Sequence, residues 1–512
     1  MVNWHNGNSV GPSMKQLTTI RFTASCLFAF TLSSVFAHGA EKPNVLLIVV
    51  DDLNDWTGHL GGHPQAKTPN IDRLAARSVS FTNAHAQAPL CGPSRTSMWS
   101  GLYPHNTGVY GHIHDGDLSK LKAMKGRLFL PQFFKNKGYK TLGAGKIFHI
   151  TDGDKQFDEY GGIHERMGPK PPQRLNYDPA KFGKGKTQTD WGAYPEHDAQ
   201  MPDHKIAAWS VNKLQEEHAE PFFMTVGFLR PHVPWHVPGK WFEPFPKGST
   251  QLPPLKDDDL TDISPFGKKL HAVPGMPPWV WMKKEDRIRD AARAYLACVH
   301  FVDAQVGKVL EALEKSPYAK NTIVIVTSDH GYHLGEKHRW AKHSLWERAT
   351  RVPLLIKVPG AENGIVSKPV GLIDLYPTLA DLCGLDIPTQ LDGNSVKPLL
   401  DGGKKPWRHS VLSLYGRGNI SLRSERYRYI RYADGAEELY DMQADPNEWA
   451  NLCFPEIEPH MQPVVDEFRK HIPKTFKHWS PYSYANINPW FDENIKESRK
   501  VTGTKPRTQY KK

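Results

Sequence analysis

The chain has 512 residues, of which 39% are hydrophobic and 23% are charged. This composition is typical of a globular protein and argues against a disordered chain, and the length favours one large domain with a smaller one. Lys and Arg outnumber Asp and Glu by 65 to 54. The surplus favours polyanionic partners, although a basic surface without such a partner is an equally good interpretation.

The N-terminus has the pattern of a secretory signal peptide. Lys15 and Arg21 precede an apolar run at 24–36, and Ala37 offers a small residue at the cleavage site. The run is too short for a stable membrane span, and no other apolar stretch approaches that length. We expect residues 1–37 to be removed and the protein to be exported, to a periplasmic, secreted or, in an animal, lysosomal location. An uncleaved N-terminal anchor is the alternative.

Continuous apolar runs predict buried strands of a mostly parallel sheet. These runs cover residues 44–50, 222–228, 322–327 and 353–358. Helical patterns lie between them, at 71–77, 130–136 and 284–314. Strands that alternate with helices indicate an α/β sandwich, in which ligands bind at the carboxyl ends of the strands.

Two long segments rich in Gly, Pro and Lys, 151–205 and 239–278, are predicted to be surface loops that wall a cleft. From about residue 405 the pattern changes to short alternating strands, at 410–415, 420–424 and 427–432, and then to a helix at 459–471. We therefore expect a catalytic domain at 38–404 and a smaller α+β subdomain with an antiparallel sheet at 405–512. Its basic tail after Lys496 is expected to be poorly ordered.

Acidic side chains follow two of the predicted strands directly. Asp51 and Asp52 end the first strand, and Asp329 and His330 follow the third. Carboxylates in such buried places are costly unless a cation neutralises them. These residues could supply ligands to one hard divalent ion, Ca²⁺ or Mg²⁺ rather than zinc. The alternative is that Asp51 and Asp52 only cap the next helix.

The five cysteines show neither a zinc spacing nor a disulfide framework. Cys26 leaves with the signal peptide, and Cys298 and Cys383 lie in apolar contexts typical of small buried side chains. Cys91 differs, because it opens the segment Cys91-Gly92-Pro93-Ser94-Arg95.

This segment resembles the C-x-P-S-R signature of the type I, formylglycine-dependent sulfatase family, in which the cysteine is oxidised to an aldehyde. SGLYPHNTG, GYKTLGAGKIFH, RPH and SDHGYHLGE follow it in the family's order. The resemblance runs from about residue 43 to 450 and is strongest to the iduronate-2-sulfatase-like branch, which shares GK-x-FH, the RPH element and the SDHG…LGE…WAK run. It implies an alkaline-phosphatase-like fold.

The resemblance also implies a Ca²⁺ site and a nucleophile. The implied metal ligands are Asp51, Asp52, Asp329, His330 and the modified Cys91, although histidine departs from the usual oxygen-only calcium set. A hydrated aldehyde at position 91 has two hydroxyl groups, of which one attacks sulfur. Deprotonation of the other then restores the aldehyde and ejects sulfate, which an ordinary serine could not do.

Five further residues receive roles from the same resemblance. Arg95 and Lys146 match residues that hold the hydrated aldehyde, and His149 matches the base for sulfate elimination. If the chain is helical there, Lys146 and His149 share one face. His232 matches the residue that protonates the leaving oxygen, and Lys342 matches a lysine that grips the sulfate. Histidines outside the matched motifs receive no role: His63, His85, His105, His112, His114 and His300.

The implied substrate is a sulfated acidic oligo- or polysaccharide. The branch points to a uronic-acid 2-O-sulfate in a glycosaminoglycan of heparan or dermatan type, or in an iduronate-bearing algal polymer. Several tryptophans could stack on sugar rings, although burial is their commoner role: Trp235, Trp241, Trp279, Trp281 and Trp340. A formylglycine-generating enzyme is the implied protein partner, and neither nucleic acid nor a stable membrane span is expected.

Two other functions stay open at this point. A phosphatase, phosphonate hydrolase or phosphotransferase of the same fold would usually carry Ser or Thr as nucleophile and two zinc ions, and Cys91 in its segment speaks against that. A glycan-binding protein that has lost catalysis would not be expected to keep Cys91, Arg95, Lys146, His149, His232 and Lys342 together.

Overall fold

The computed structural model describes residues 42–149, 155–162, 167–182, 187–400, 406–407, 410–484 and 487–503. The predicted signal peptide, 1–37, lies outside the described residues, as does the end of the basic tail, 504–512. None of the described helices has the length and hydrophobicity needed to cross a membrane.

The secondary structure alternates between strands and helices as far as α11 and then becomes mainly antiparallel. The strands are β1 (Asn44–Val50), β2 (Val79–His85), β3 (His112–Ile113), β4 (Lys140–Gly145), β5 (Glu159–Tyr160), β6 (Trp191–Ala193), β7 (Phe222–Phe228), β8 (Trp235–Val237), β9 (Thr322–Ser328), β10 (Arg351–Lys357), β11 (Gly364–Val366), β12 (Val370–Gly371), β13 (Val411–Leu414), β14 (Ile420–Arg423), β15 (Tyr427–Arg431), β16 (Glu437–Asp441) and β17 (Ser483–Tyr484). The helices are α1 (Pro69–Ala75), α2 (Cys91–Ser100), α3 (Pro104–Thr107), α4 (Asp115–Leu118), α5 (Leu130–Asn136), α6 (Pro202–Gln215), α7 (Pro265–His271), α8 (Trp279–Lys284), α9 (Arg287–Lys315), α10 (Glu347–Thr350), α11 (Leu375–Leu382), α12 (Gln462–Lys470) and α13 (Pro489–Thr502).

The central sheet has nine strands within the described residues, in the order β11-β2-β10-β9-β1-β7-β4-β5, with β12 also on β2. Strands β1, β4, β7 and β9 form a parallel block at its centre. Side chains of β1 alternate between two cores: Leu46 and Ile48 pack on the face covered by α9, whereas Val45 and Leu47 pack on the face covered by α5. Burial on both faces explains why these strands are continuously apolar.

Strand β10 runs antiparallel to both of its neighbours, β9 and β2. The apolar run at 353–358 predicts a buried strand but carries no sign of its direction. For β10 to run parallel to β9, the chain would have to cross back to the opposite end of the strands before β10 begins. Residues 329–350 instead stay near the edge where β9 ends, because Asp52 hydrogen-bonds to Asp329 there and Ala86, next to the end of β2, to Thr350.

The segments predicted as loops contain regular structure. Residues 151–205 include β5, β6 and the start of α6, and residues 239–278 include α7. These elements are short, and their strands lie at a sheet edge or in a separate pair, β6 with β8. They lack the long apolar runs that mark the central strands.

The C-terminal part forms a four-stranded antiparallel sheet, β13-β14-β15-β16. The expectation of a poorly ordered tail after Lys496 is wrong as far as Thr502, because α13 continues to that residue. Phe491, Ile495 and Ser498 are buried in α13, and their spacing of four and three residues is that of one helix face.

A buried set of charges joins this small sheet to the chain around α10. We call it the Glu347 network: Glu347, Arg423, Arg428 and Glu448. The Glu347 carboxylate accepts from Nε of Arg423 at 3.0 Å and also from Arg428. Glu448 accepts from the backbone N–H of Glu347 at 2.9 Å and pairs with Arg428 at 3.0 Å. The network therefore holds α10, which begins at Glu347, in place. Lys342, one of the predicted site residues, lies five residues before this helix.

Candidate active site

Parallel pairing brings the predicted acidic residues to one edge of the sheet. Val50 of β1 lies opposite Ser328 of β9, so the residues that follow both strands are level with each other. Asp52 turns back with a φ of 65°, and its N–H donates to Oδ1 of Asp329 at 3.2 Å. We call Asp51, Asp52, Asp329 and His330 the strand-end cluster, and all four side chains are fully buried.

Cys91 is the first residue of α2, a helix whose ten residues are all buried. The Ser94 hydroxyl donates to the carbonyl of Asp329 at 2.5 Å and so ties the first turn of the helix to the strand-end cluster. Gly92 is required here, because a Cβ at this position would come within 2.8 Å of the His112 ring. The helix N-terminus favours negative charge at position 91.

Three cationic side chains neutralise the strand-end cluster. Arg95 pairs with Asp329 at 2.9 Å and with Asp51 at 3.3 Å. Lys146 pairs with Asp51 at 2.5 Å, and Lys342 pairs with Asp52 at 2.7 Å. Burial and the Cys91 charge raise the pKa of Asp51, but Lys146, His232 and Arg95 outweigh them and keep that pKa below its ordinary value.

The Cys91 sulfur lies where these groups converge. It is 3.1 Å from Nε2 of His330 and 3.4 Å from Nζ of Lys342, and the His149 side chain also hydrogen-bonds to it. Burial raises the pKa of the thiol, yet the charges of Lys146, Lys342 and His330 prevail and hold it well below its usual range. In a modified protein this sulfur position would belong to an oxygen of the hydrated aldehyde.

His330 is oriented as a metal ligand would be. Its Nδ1 lies 3.0 Å from the carbonyl of Gly331, which can only accept, so Nε2 faces the cluster. Burial lowers the pKa of this ring, but Asp329 and Cys91 raise it to about 9. Burial raises the pKa of Asp329 to about 7 against the opposing effect of Arg95. Oδ2 of Asp52 is buried and has no hydrogen-bond partner among the described residues.

Histidines border the position of Cys91 on its open side, among them His112, His149 and His232. Residues 146–149 form a bend and not the helical turn considered for them, yet Lys146 and His149 both reach position 91. The ring of His149 stacks on His112, with centroids 3.9 Å apart and an interplanar angle of 6°. Nε2 of His232 lies 3.9 Å from Oδ2 of Asp52.

A cavity of about 360 Å³ opens above Cys91. Five of the predicted site residues line it: Cys91, Lys146, His149, His232 and Lys342. The other predicted residues are buried around its base: Asp51, Asp52, Arg95, Asp329 and His330. The sequence prediction missed further lining residues, among them His112, Tyr332, His343 and Tyr484.

The cleft differs from the prediction at His112 and agrees with burial as the commoner role of tryptophan. His112 was expected to have no role, yet it lines the cavity because β3 pairs with β17, which brings Tyr484 beside it. No periodic pattern marks a strand of two residues, so the sequence carries no signal for this pairing. The tryptophans considered as sugar platforms do not line the cavity; Trp235 and Trp340 are fully buried in the core, and Trp241, Trp279 and Trp281 pack against it.

The geometry can be compared with known proteins. The model of the family described as "Sulfatase" matches residues 43–385, and that of "N-sulphoglucosamine sulphohydrolase, C-terminal" matches residues 335–478. A curated protein of Formosa agariphila named "Sulfatase" is 42% identical over 462 residues, which cover 88% of this chain and 90% of that protein.

The chain belongs to the sulfatase family. Accordingly it is an enzyme that hydrolyses sulfate esters. The sulfatase is also similar to the iduronate 2-sulfatase of Mus musculus, with 31% identity over 74% of this chain and 75% of that protein. A solved structure described as a 2-O GAG sulfatase superposes with a TM-score of 0.65 at 25% identity, over 92% of this chain and 95% of that one. The expected alkaline-phosphatase-like fold is thereby confirmed.

Proposed function

We propose that this sulfatase acts through a formylglycine at position 91 and a Ca²⁺ ion, on a 2-O-sulfated uronic acid of a sulfated saccharide. The observation that carries the chemistry is the convergence of His330, Lys342 and His149 on one buried sulfur at the N-terminus of a helix. The relatives named iduronate 2-sulfatase and 2-O GAG sulfatase support the substrate.

The strand-end cluster fits a hard divalent cation. Donor atoms of Asp51, Cys91, Asp329 and His330 lie within 4.8 Å of one another, and a second group shares Asp51 and Cys91 and adds Asp52 and His232. Three carboxylates suit Ca²⁺, and Oδ2 of Asp52 has no hydrogen-bond partner among the described residues. When bound, the ion would supply positive charge that offsets the buried carboxylates and favours an ionised oxygen at position 91.

The two proton transfers of the reaction are assigned to two different histidines near position 91. A hydrated formylglycine supplies two hydroxyl groups on one carbon. His232, on the open side of the cavity, would donate the proton that the leaving alcohol oxygen needs as its bond to sulfur breaks. His149 would accept the proton whose loss lets sulfate depart. Burial lowers the pKa of His149, which keeps this ring neutral and able to accept.

Lys342 would hold the charge of the sulfate group, and Lys146 would hold the hydrated aldehyde. Both line the cavity and both are buried, so their charges act in a medium less polar than water. Arg95 makes its side-chain hydrogen bonds to Asp51, Asp329 and the carbonyls of Lys146 and Ile147. Its proposed part is therefore to position the cluster and the backbone that carries Lys146.

The volume and the apolar lining of the cavity favour a single sugar at the end of a saccharide chain. Its volume of about 360 Å³ is near the lower end of the range for small-molecule sites, ~300–1,000 Å³. Its apolar lining residues, Met167, Leu229, Val233 and Met276, would contact the carbon face of a ring. We therefore propose action on the end of a saccharide chain, by a protein that is exported and matured by a formylglycine-generating enzyme.

The phosphatase alternative has less support. Cysteine at the nucleophile position differs from the Ser or Thr expected of that class. The two candidate metal groups among the described residues share Asp51 and Cys91, which fits one ion or two bridged ions equally well.

Two measurements test the proposal. The chain is produced with and without a formylglycine-generating enzyme, and the mass of the peptide that contains Cys91 is determined. We expect conversion of the thiol to the aldehyde only in the first sample, together with turnover of an aryl sulfate. An unmodified Cys91 in a fully active enzyme would refute the nucleophile.

The substrate is tested on defined disaccharides that carry one sulfate each. We expect 2-O-sulfated uronic acid at the chain end to be desulfated about 100-fold faster than 6-O- or N-sulfated glucosamine, a difference of about 2.7 kcal/mol in transition-state binding. A preference for either glucosamine sulfate would overturn the substrate while leaving the sulfatase chemistry intact.

A further inference from the structure

A second groove lies in the C-terminal part of the molecule, apart from the cleft above Cys91. Its volume is about 290 Å³, and its lining includes Arg417, Arg431, Ile472 and Phe476. None of its lining residues is shared with the first cavity.

The two arginines of this groove have no carboxylate within ion-pair distance among the described residues. Glu437 is the residue opposite Arg431 in the strand pairing, but its carboxylate pairs with Arg469 at 2.5 Å. Nε of Arg417 makes one long contact, 3.4 Å, with the carbonyl of Phe476. Both arginines are half-buried, so their charge is held at the groove with no ion-pair partner in the part of the chain that the structure describes.

The chain beside the groove adds further positive charge. Lys474 and Lys477 flank Phe476 and are exposed. Phe476 itself is half-buried and lines the groove. Guanidinium groups bind planar anionic groups through two parallel hydrogen bonds, and an aromatic face packs against the carbon face of a sugar. Two guanidinium groups beside an aromatic residue suit an anionic sugar better than a free inorganic anion.

One short segment connects the groove to the catalytic cleft. It runs from Phe476 to Tyr484, and Tyr484 lines the cavity above Cys91. Backbone hydrogen bonds hold it along α3 and the residue that follows: the N–H of Lys477 donates to the carbonyl of His105 at 2.9 Å, and the N–H of Ser480 donates to that of Gly108 at 2.7 Å. Nine residues span at most ~32 Å, so the two sites are within reach of one extended saccharide.

We propose that this groove is a second binding site for the sulfated saccharide, which holds a stretch of the chain remote from the sugar being desulfated. The inference rests on the proposed function, since it assumes that the substrate is a polyanionic chain. It assigns Arg417 and Arg431 to anion recognition and Phe476 to sugar contact. The groove would add affinity for long substrates without taking part in the reaction.

The test compares variants in two backgrounds. In the Cys91→Ala protein, which cannot turn over, binding of a heparin decasaccharide is measured by titration calorimetry. Arg417→Ala/Arg431→Ala should weaken binding about tenfold, as expected for the loss of two charge-assisted contacts, and Arg417→Lys/Arg431→Lys should lose less. The control is Lys247→Ala/Lys320→Ala, which removes the same charge from exposed residues outside the groove and should change binding less than about twofold.

In the matured enzyme the same arginine variant should raise KM for the decasaccharide and leave kcat unchanged, because the lost contacts are equal in ground and transition states. Turnover of an aryl sulfate, too small to reach the groove, should not change. Unaltered binding by the arginine variant, or an equal loss in the lysine control, would overturn the second site. Failure of the wild-type enzyme to hydrolyse any sulfate ester would instead overturn the proposed function, and the binding titration would still decide the groove.

Discussion

The strand-end cluster and the Glu347 network both bury several charges, but they differ in what surrounds them. The network lies between the small C-terminal sheet and α10, and its carboxylates pair with Arg423 and Arg428. The strand-end cluster lies below an open cavity, where Oδ2 of Asp52 has no hydrogen bond among the described residues and Nε2 of His232 is 3.9 Å away. A buried oxygen without a hydrogen bond occurs in the network too, at Oε1 of Glu448. The open cavity therefore marks the cluster as a place for a cation and a substrate, whereas the network lines neither cavity and has a structural role.

Two of the three buried cysteines among the described residues, Cys91 and Cys298, allow the sharpest test of this difference. Cys91→Ala should abolish turnover of an aryl sulfate, by at least about 10³-fold, because the nucleophile is lost, while the Tm stays within a few degrees. Cys298→Ala is the matched control, since burial raises the pKa of this thiol to about 12 and it lies in the core. This control should lower the Tm and keep kcat/KM; equal losses of activity in both variants would contradict the distinction.

Calcium removal should affect only the strand-end cluster. We expect a chelator to inactivate the enzyme and lower its Tm, and Ca²⁺ to restore both, with about 2.7 kcal/mol of stabilisation at a hundred times the Kd. Asp52→Asn should raise the calcium concentration needed for half-maximal activity. Asp258→Asn, at an exposed site, serves as the control, and the same calcium dependence in both variants would count against the proposed ligands.

Breaking the Glu347 network should lower the stability of the fold and leave the activity of each folded molecule almost unchanged. Arg428→Met leaves Glu347 and Glu448 with one partner fewer in a buried place, and loss of one partner of a buried pair typically costs about 3–5 kcal/mol. Urea unfolding should show this loss, while kcat/KM per folded molecule changes less than about threefold. The exposed Arg426→Met, which breaks a surface pair with Asp441, should change stability little.

Glu448 provides the smallest expected effect, in the pH dependence of stability. Burial raises the pKa of its carboxyl from 4.5 to about 7. Because the folded value is the higher one, the contribution of this group is complete below pH 4.5 and is lost as the pH rises through about 7. Between pH 5 and 8 the wild-type Tm should therefore fall more steeply than that of Glu448→Gln. Parallel curves would show that Glu448 is ionised throughout.

Strands could be predicted from the sequence where burial on both faces makes the whole segment apolar. Strands β1, β7 and β9 are buried on both faces, so they are continuously apolar and were placed within one residue. Strands β2 and β4 are buried too, but Ser, Asn, Lys and Gly interrupt their sequences. The apolar pattern therefore gives no indication of them.

The residues of the candidate site also differ in whether the sequence could predict their position. Residues that directly follow a predicted strand, such as Asp51 and Asp329, could be expected at one edge because parallel strands end together. His112 and Tyr484 reach the cavity through a pair of two-residue strands from distant parts of the chain. Local periodicity does not encode such a contact, so only the folded structure reveals it.

The pairing of β3 with β17 also has a consequence for the timing of assembly. The wall of the cleft that holds Tyr484 cannot form until almost the whole chain has been synthesised, whereas Cys91 leaves the ribosome early. In the finished fold the Cys91 side chain is only 1% exposed and the rest of α2 is buried with it. If Cys91 is oxidised as proposed, the oxidising enzyme would have to reach this segment before the folding of the chain buries α2.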